Sequence, residues 1–171
     1  MAGNKYIELN NGRLAEKPAK DASAGAVDAG SIVALGSDGR LDPSVMPTGI
    51  GADTSTLPAS EDLSGGDFVN VWNDGGVMSA RKADASSVGK EADGFVLDAV
   101  SMGQPATVYF EGRNTALLGL TLGARYYLSA TTPGVATTTP PAGTGKVVQY
   151  LGRAVEATAV AFEATDGVIL A

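Results

Sequence analysis

The chain has 171 residues, a net charge of −7, and neither cysteine nor histidine. Disulfides, thiolate metal sites and every histidine-dependent mechanism are therefore excluded, and the missing thiols suit assembly in a reducing cytoplasm. The length fits one domain with appendages, and an acidic chain without a basic face makes nucleic acid an unexpected partner.

Charge is uneven along the sequence. Residues 1–21 carry four cations against three acids, and residues 22–171 carry eight against sixteen. That pattern suits an acidic, soluble body, or one that a partner repels while it attracts the arm. No apolar run reaches the length of a signal peptide or a membrane span, so no membrane partner is expected.

In chain order, Lys5-Tyr-Ile-Glu-Leu-Asn10 alternates weakly and predicts a lone strand, which is unstable by itself. Residues 12–30 are small and polar with Pro18, the composition of an extended linker; a helical turn at Leu14–Glu16 would have no apolar stripe. Ser31-Ile-Val-Ala-Leu35 is strand-like, Gly36-Ser-Asp-Gly39 is turn chemistry, and Pro43 and Pro47 exclude a helix. Asp38 and Asp42 lack the spacing and closing glutamate of a calcium loop, so a simple turn is expected. Residues 1–48 thus read as an extended N-terminal arm and linker. Fully extended, 48 residues would span roughly 150 Å.

A compact antiparallel β domain is expected over 49–171. Thr54–Ser60 is a first strand that Pro58 confines to an edge or bulge. Phe68–Asn73 and Gly76–Arg81 flank Asp74-Gly75, which predicts a two-residue hairpin turn pairing Val71 with Met78 and Val69 with Ala80. Further pairs are expected between Phe95–Val100 and Ala106–Glu111, between Arg125–Ser129 and Val135–Thr138, and between Lys146–Val155 and Ala157–Glu163. A short strand at Gly167–Leu170 closes the set. Short strands spaced by turn signals indicate an antiparallel β sandwich or a small β barrel.

Little in the chain resembles a reactive site. Gly143-Thr-Gly-Lys146 lacks the leading glycine and trailing hydroxyl of a phosphate loop and runs into a strand. Glu61 and Asp62 are neighbours whose side chains diverge in a strand, unlike the facing carboxylates of a glycosidase. Trp72, Tyr109, Tyr126, Tyr127 and Tyr150 alternate as core or cross-strand aromatics do, although such rings also line carbohydrate sites. No catalytic residue, cofactor or metal ligand is expected.

A family resemblance goes further. Gly119-Leu-Thr-Leu-Gly-Ala-Arg-Tyr-Tyr-Leu-Ser-Ala130, Thr132-Pro-Gly134 and Val148-Gln-Tyr-Leu-Gly-Arg-Ala154 resemble the capsid decoration (cement) and head-fibre proteins of tailed phages. Ile32 to Gly49 is similar to a linker of such proteins, and Ala92-Asp-Gly-Phe-Val96 to a piece of their β domain. The resemblance implies a non-enzymatic virion protein, made in the host cytoplasm and bound to the outer surface of the phage head. Its partners would be the major capsid protein and itself, as a homotrimer or a dimer. Head-fibre or tail-fibre attachment to the host is the alternative, and a virion-associated polysaccharide hydrolase the second. The arm is the expected anchor through Lys5, Tyr6, Ile7, Leu9, Arg13, Ile32, Val33 and Leu35. Its strands would add to a partner's sheet edge, with Ile7 and Leu9 in apolar pockets and Lys5 and Arg13 facing acids.

Overall fold

The computed structural model describes residues 4–37, 39–46 and 52–171. They fall into two compact units, Met1–Gly51 and Ala52–Ala171.

The first unit begins with a hairpin. Strand β1 (Lys5–Asn10) pairs antiparallel with β2 (Arg13–Pro18), placing Ile7 opposite Glu16 and Leu9 opposite Leu14. Asn11 and Gly12 form the turn with φ of 49° and 76°, the two positive angles a tight two-residue turn requires. The expected lone strand and the linker over 13–18 are thereby corrected: two polar segments with weak patterns pair because Asn-Gly reverses the chain. Ser31–Leu35 forms no strand either. Its regular contact is a parallel bridge of Val33 to Lys20, whose N–H donates to the Ile32 carbonyl at 2.9 Å. Two short 3-10 turns follow, Ala26–Asp28 and Pro43–Val45. Asp28 accepts from the Ala24 amide at 2.6 Å and pairs with Lys20 at 2.9 Å; Asp42 accepts from the Ser44 amide at 2.8 Å, a turn contact. Asp38, Pro47 and Gly49 lie outside the described residues.

The second unit is mainly β, with antiparallel sheets packed together. Its strands are β3 (Thr54–Pro58), β4 (Phe68–Asp74), β5 (Val77–Lys82), β6 (Gly94–Phe95), β7 (Pro105–Tyr109), β8 (Glu111–Asn114) and β9 (Arg125–Leu128). They continue with β10 (Ala136–Thr137), β11 (Val147–Val148), β12 (Tyr150–Glu156), β13 (Ala159–Glu163) and β14 (Val168–Ile169). One five-stranded sheet has the order β3-β7-β6-β4-β5, a second the order β10-β9-β12-β13-β8, and β11 pairs with β14. Pro58 ends the edge strand β3, where a missing N–H costs no ladder bond. The first sheet curls until its edges meet at a bridge between Ala59 and Ala80. Between Tyr109 and Glu111 the chain leaves the first sheet for the second, with Phe110 as the corner.

Two expected pairings differ. The β4–β5 turn is Gly75-Gly76, not Asp74-Gly75, so Val71 faces Ala80 and Asn73 faces Met78. Both glycines have positive φ, 61° and 100°, and the Gly76 amide donates to the Asn73 side chain at 2.6 Å. Asp74 is released to pair with Val77 as strand. The residues sharing each face are unchanged, because the register moves by two. Phe95–Val100 does not run along Ala106–Glu111. Phe95 alone meets Tyr109, while Val100 bridges Leu63 and the free edge of β7 goes to β3.

Phe68, Phe95, Leu128, Leu151 and Phe162 form the main core cluster between the sheets. Phe68 and Phe95 come from the first sheet and Phe162 from the second, with ring centroids 5.5 to 6.4 Å apart. These tilted and edge-on contacts add to the burial of three large rings. A smaller cluster of Val69, Val96, Ala106 and Val108 fills the curl of the first sheet. Gly152 borders the bulge of β12 against β9, with φ 145°; a Cβ there would lie 1.9 Å from the Ala161 carbonyl oxygen.

Candidate interaction surface

The hairpin sorts the expected anchor residues onto two faces. Directly opposed residues of an antiparallel pair share a face, so Lys5, Ile7 and Leu9 stand with Leu14, Glu16 and Pro18. Tyr6 and Arg13 lie on the reverse with Glu8, Ala15 and Lys17. On the first face Ile7, Leu9 and Leu14 are 61%, 71% and 78% exposed. Lys5 and Glu16 form an ion pair at the base of this triad, and Lys17 and Glu8 form another on the reverse at 3.3 Å. Ile32, Val33 and Leu35 are also exposed, but they belong to the separate segment bridged to Lys20. Lys5 and Arg13 therefore do not form one cationic edge: Lys5 is paired within the hairpin. Leu14 was not expected in the surface, although Asn11-Gly12 between two alternating segments was the signal that would have placed it.

Among the described residues, no third strand pairs with β1 or β2. Two strands whose Ile7 face is exposed and whose Tyr6 face is only half-buried bury too little to be stable alone. No side chain described in this unit is buried.

In the second unit the acidic side chains tie loops down. Glu61 accepts from the Lys82 amide at 2.9 Å, whereas Asp62 accepts from the Met102 amide at 2.8 Å. The two neighbours thus serve separate segments. Burial pushes the Asp67 carboxyl above its ordinary range, opposed by a hydrogen bond from the Ser64 amide and by Lys82, 3.7 Å away. Burial raises Asp93 likewise, against hydrogen bonds from the Val71 amide and the Asn70 side chain. Asn70 in turn accepts from Arg81, whose guanidinium lies 4.5 Å from the Trp72 ring centroid. Buried Gln149 accepts from the Ala92 amide and donates to the Ala92 and Thr165 carbonyls at 2.7 to 2.9 Å, replacing a missing strand. Among the described residues, no three acidic side chains group as a metal site would need, and no helix is long and apolar enough to cross a membrane.

The tyrosines divide by face. Tyr126 is buried, its hydroxyl accepting from the Thr121 amide, and Tyr109 stacks on Phe95. Tyr127 and Tyr150 are half-buried cross-strand partners, edge to face at 5.8 Å. The Gly143–Lys146 segment is a turn whose Gly145 amide donates to Leu170 on the way into β11, committing the backbone to the sheet.

No protein family, no curated protein and no solved structure matches this chain.

Proposed function

We propose that this chain is a structural virion protein, a capsid decoration protein that binds the outside of a phage head and bridges major capsid protein subunits. It catalyses no reaction. The observation that carries the reading is the exposed triad Ile7, Leu9 and Leu14 on a hairpin without a core of its own. Such a face gains stability only when something covers it, and each buried aliphatic side chain contributes about 1.5–3 kcal/mol. The family resemblance of Gly119–Ala130 and Val148–Ala154 supplies the kind of partner. Within the arm, Asn11-Gly12 already pairs the inner edges of the two strands, so the contact with the shell uses the apolar face together with the outer edges.

The stabilisation is mass action. A protein that binds only the assembled shell stabilises it by RT ln(1 + [L]/Kd), about 2.7 kcal/mol per site at a hundredfold excess over Kd. Many equivalent sites on one shell make modest single contacts sufficient.

Deleting residues 2–20 and measuring binding to undecorated heads tests the reading. Binding should be lost while the β domain melts as in the full chain. Equal binding by the truncated protein overturns the role of the hairpin. Labelling the protein on purified virions locates it: label over the head agrees, and label on the tail moves the assignment to a fibre.

A further inference from the structure

Among the described residues, Asn11 is the only one other than glycine with a positive φ, 49°. It is exposed, and Gly12 follows it at φ 76°. The chain holds six asparagines, and Asn11 alone precedes a glycine. Asn70 and Asn114 are buried and donate to the Glu91 and Gly66 carbonyls at 2.9 and 2.8 Å, while Asn73 accepts from the Gly76 amide. Neither the Asn11 side chain nor the Gly12 amide has a hydrogen-bond partner among the described residues.

An asparagine amide without a partner, next to a glycine nitrogen, is a reactive pair. Glycine has no Cβ to hinder the approach and samples the widest range of backbone angles. The Gly12 nitrogen gives up its proton and bonds to Asn11 Cγ; the Cγ–Nδ2 bond breaks and ammonia leaves, closing a five-membered imide. One water then opens the imide. Opening at Cγ gives aspartate, and opening at the Asn11 backbone carbonyl gives isoaspartate, in which the chain runs through Cγ. No oxidant or cofactor takes part. The imide fixes backbone angles that a closed turn does not have, so ring closure needs the hairpin to open. No third strand pairs with β1 or β2 among the described residues, and no side chain described in this unit is buried, which makes opening frequent.

We propose that Asn11-Gly12 is a site of spontaneous deamidation and isomerisation, and that the isoaspartate product disarms the hairpin. Isoaspartate adds one methylene to the backbone at the turn. Asn10 and Arg13, and beyond them Leu9 and Leu14, then no longer stand opposite each other across a two-residue loop. Ile7, Leu9 and Leu14 cease to share one ordered face. Aspartate, the other product, leaves an Asp-Gly turn and keeps the face. The body supplies the comparison. Asp74-Gly75 lies at the tip of a hairpin whose strands belong to a five-stranded sheet and carry the buried Val69 and Ala80. That loss of the face ends docking on a capsid rests on the proposed function; the chemistry at Asn11 does not.

Ageing the full chain at neutral pH and mapping its peptides by mass spectrometry tests it. Asn11 should gain one mass unit at least tenfold faster than any other asparagine, and isoaspartate-specific methylation should label the same peptide. Asp74→Asn places the same Asn-Gly pair in the body and should react at least tenfold slower than Asn11. As isoaspartate rises, the NMR contacts between Leu9 and Leu14 should fall while the melting of the body stays unchanged. Freshly made Asn11→Asp should keep those contacts. Asn11→Gly, which suits a positive φ and has no amide to lose, should keep them throughout ageing. An Asn11 that stays unmodified overturns the proposal. So does Asp74→Asn reacting as fast as Asn11, an isoaspartate fraction with its contacts intact, or Asn11→Gly losing its contacts on the wild-type schedule. Fresh chain that fails to bind undecorated heads would leave this inference standing and count against the proposed function alone.

Discussion

No described side chain of Met1–Gly51 is buried, whereas Ala52–Ala171 buries twenty apolar residues, among them Phe68, Phe95 and Phe162. The first unit is held by a two-residue turn, three ion pairs and loop hydrogen bonds. Ion pairs open to solvent contribute little, so this unit has shape without much free energy of its own. The body has both. Changes in the two regions should therefore have separable consequences, and the following substitutions try to break that separation.

The largest effect is expected at Gly152. Alanine there needs a Cβ 1.9 Å from the Ala161 carbonyl oxygen at a φ of 145°. Backbone would have to move in two strands, so Gly152→Ala should destabilise the body by about 4 kcal/mol or more. Thermal unfolding followed by Trp72 fluorescence measures it. A melting temperature within a few degrees of wild type would show that the bulge relaxes freely. Gln149→Leu comes next. It keeps the volume but strands the Ala92 amide and carbonyl and the Thr165 carbonyl in a buried setting, at about 1–3 kcal/mol for each unsatisfied group.

The turns give a matched pair. Gly75→Val puts a β-branched residue at φ 61° and should lower body stability by about 1–3 kcal/mol. Gly12→Val imposes the same strain at φ 76° in the hairpin. It should leave the melting of the body within about 0.5 kcal/mol of wild type while abolishing the cross-strand NMR contacts between Leu9 and Leu14. If Gly12→Val lowers the body's melting as much as Gly75→Val does, the units are energetically coupled and the comparison fails.

These turns also show what was legible in the sequence. Asp74-Gly75 marked a hairpin because strong β formers, Phe68-Val-Asn-Val-Trp72, lead into it. The register slipped because Gly76 tolerates positive φ as well as Gly75 does, leaving Asp74 free to extend the strand. Asn11-Gly12 carries the same chemistry, but Lys, Glu and Asn flank it, and their polarity reads as linker. The β class and most body strands were readable from alternation and turn residues. The long-range partners were not: Val100 with Leu63, or Gln149 with Ala92, depends on packing that local pattern does not encode. The anchor residues Ile7 and Leu9 were readable, and their partner Leu14 was not, because it joins them only through the register of the hairpin.

The smallest effect is the response to acid, which should have opposite signs in the two regions. In the body, burial raises Asp67 and Asp93 above the ordinary carboxylate value of 3.8. Glu61 adds to the rise at Asp67 and Lys82 opposes it, while Glu91 adds and Arg81 opposes at Asp93. Between the unfolded and folded values the native state holds more protons than the unfolded chain, so stability falls as pH rises through that window. These two groups therefore favour the body most at or below 3.8, and their cost is complete once pH exceeds the raised values. In the first unit the signs reverse. Asp28 is lowered by the Ala24 amide and Lys20, and Asp42 by Ser44. Their contributions are present above 3.8 and are lost as pH falls through the lowered values. Acidification from neutral should therefore release the Ala24 and Ser44 amides, seen as shifted and faster-exchanging NMR signals. Over the same range, wild-type body stability should decline less steeply than that of Asp93→Asn, which no longer gains from protonation at that position. Parallel pH slopes for wild type and Asp93→Asn would show that burial does not penalise the Asp93 charge. Unchanged Ala24 and Ser44 amides well below pH 3.8 would show that the two aspartates do not hold the loops of the first unit.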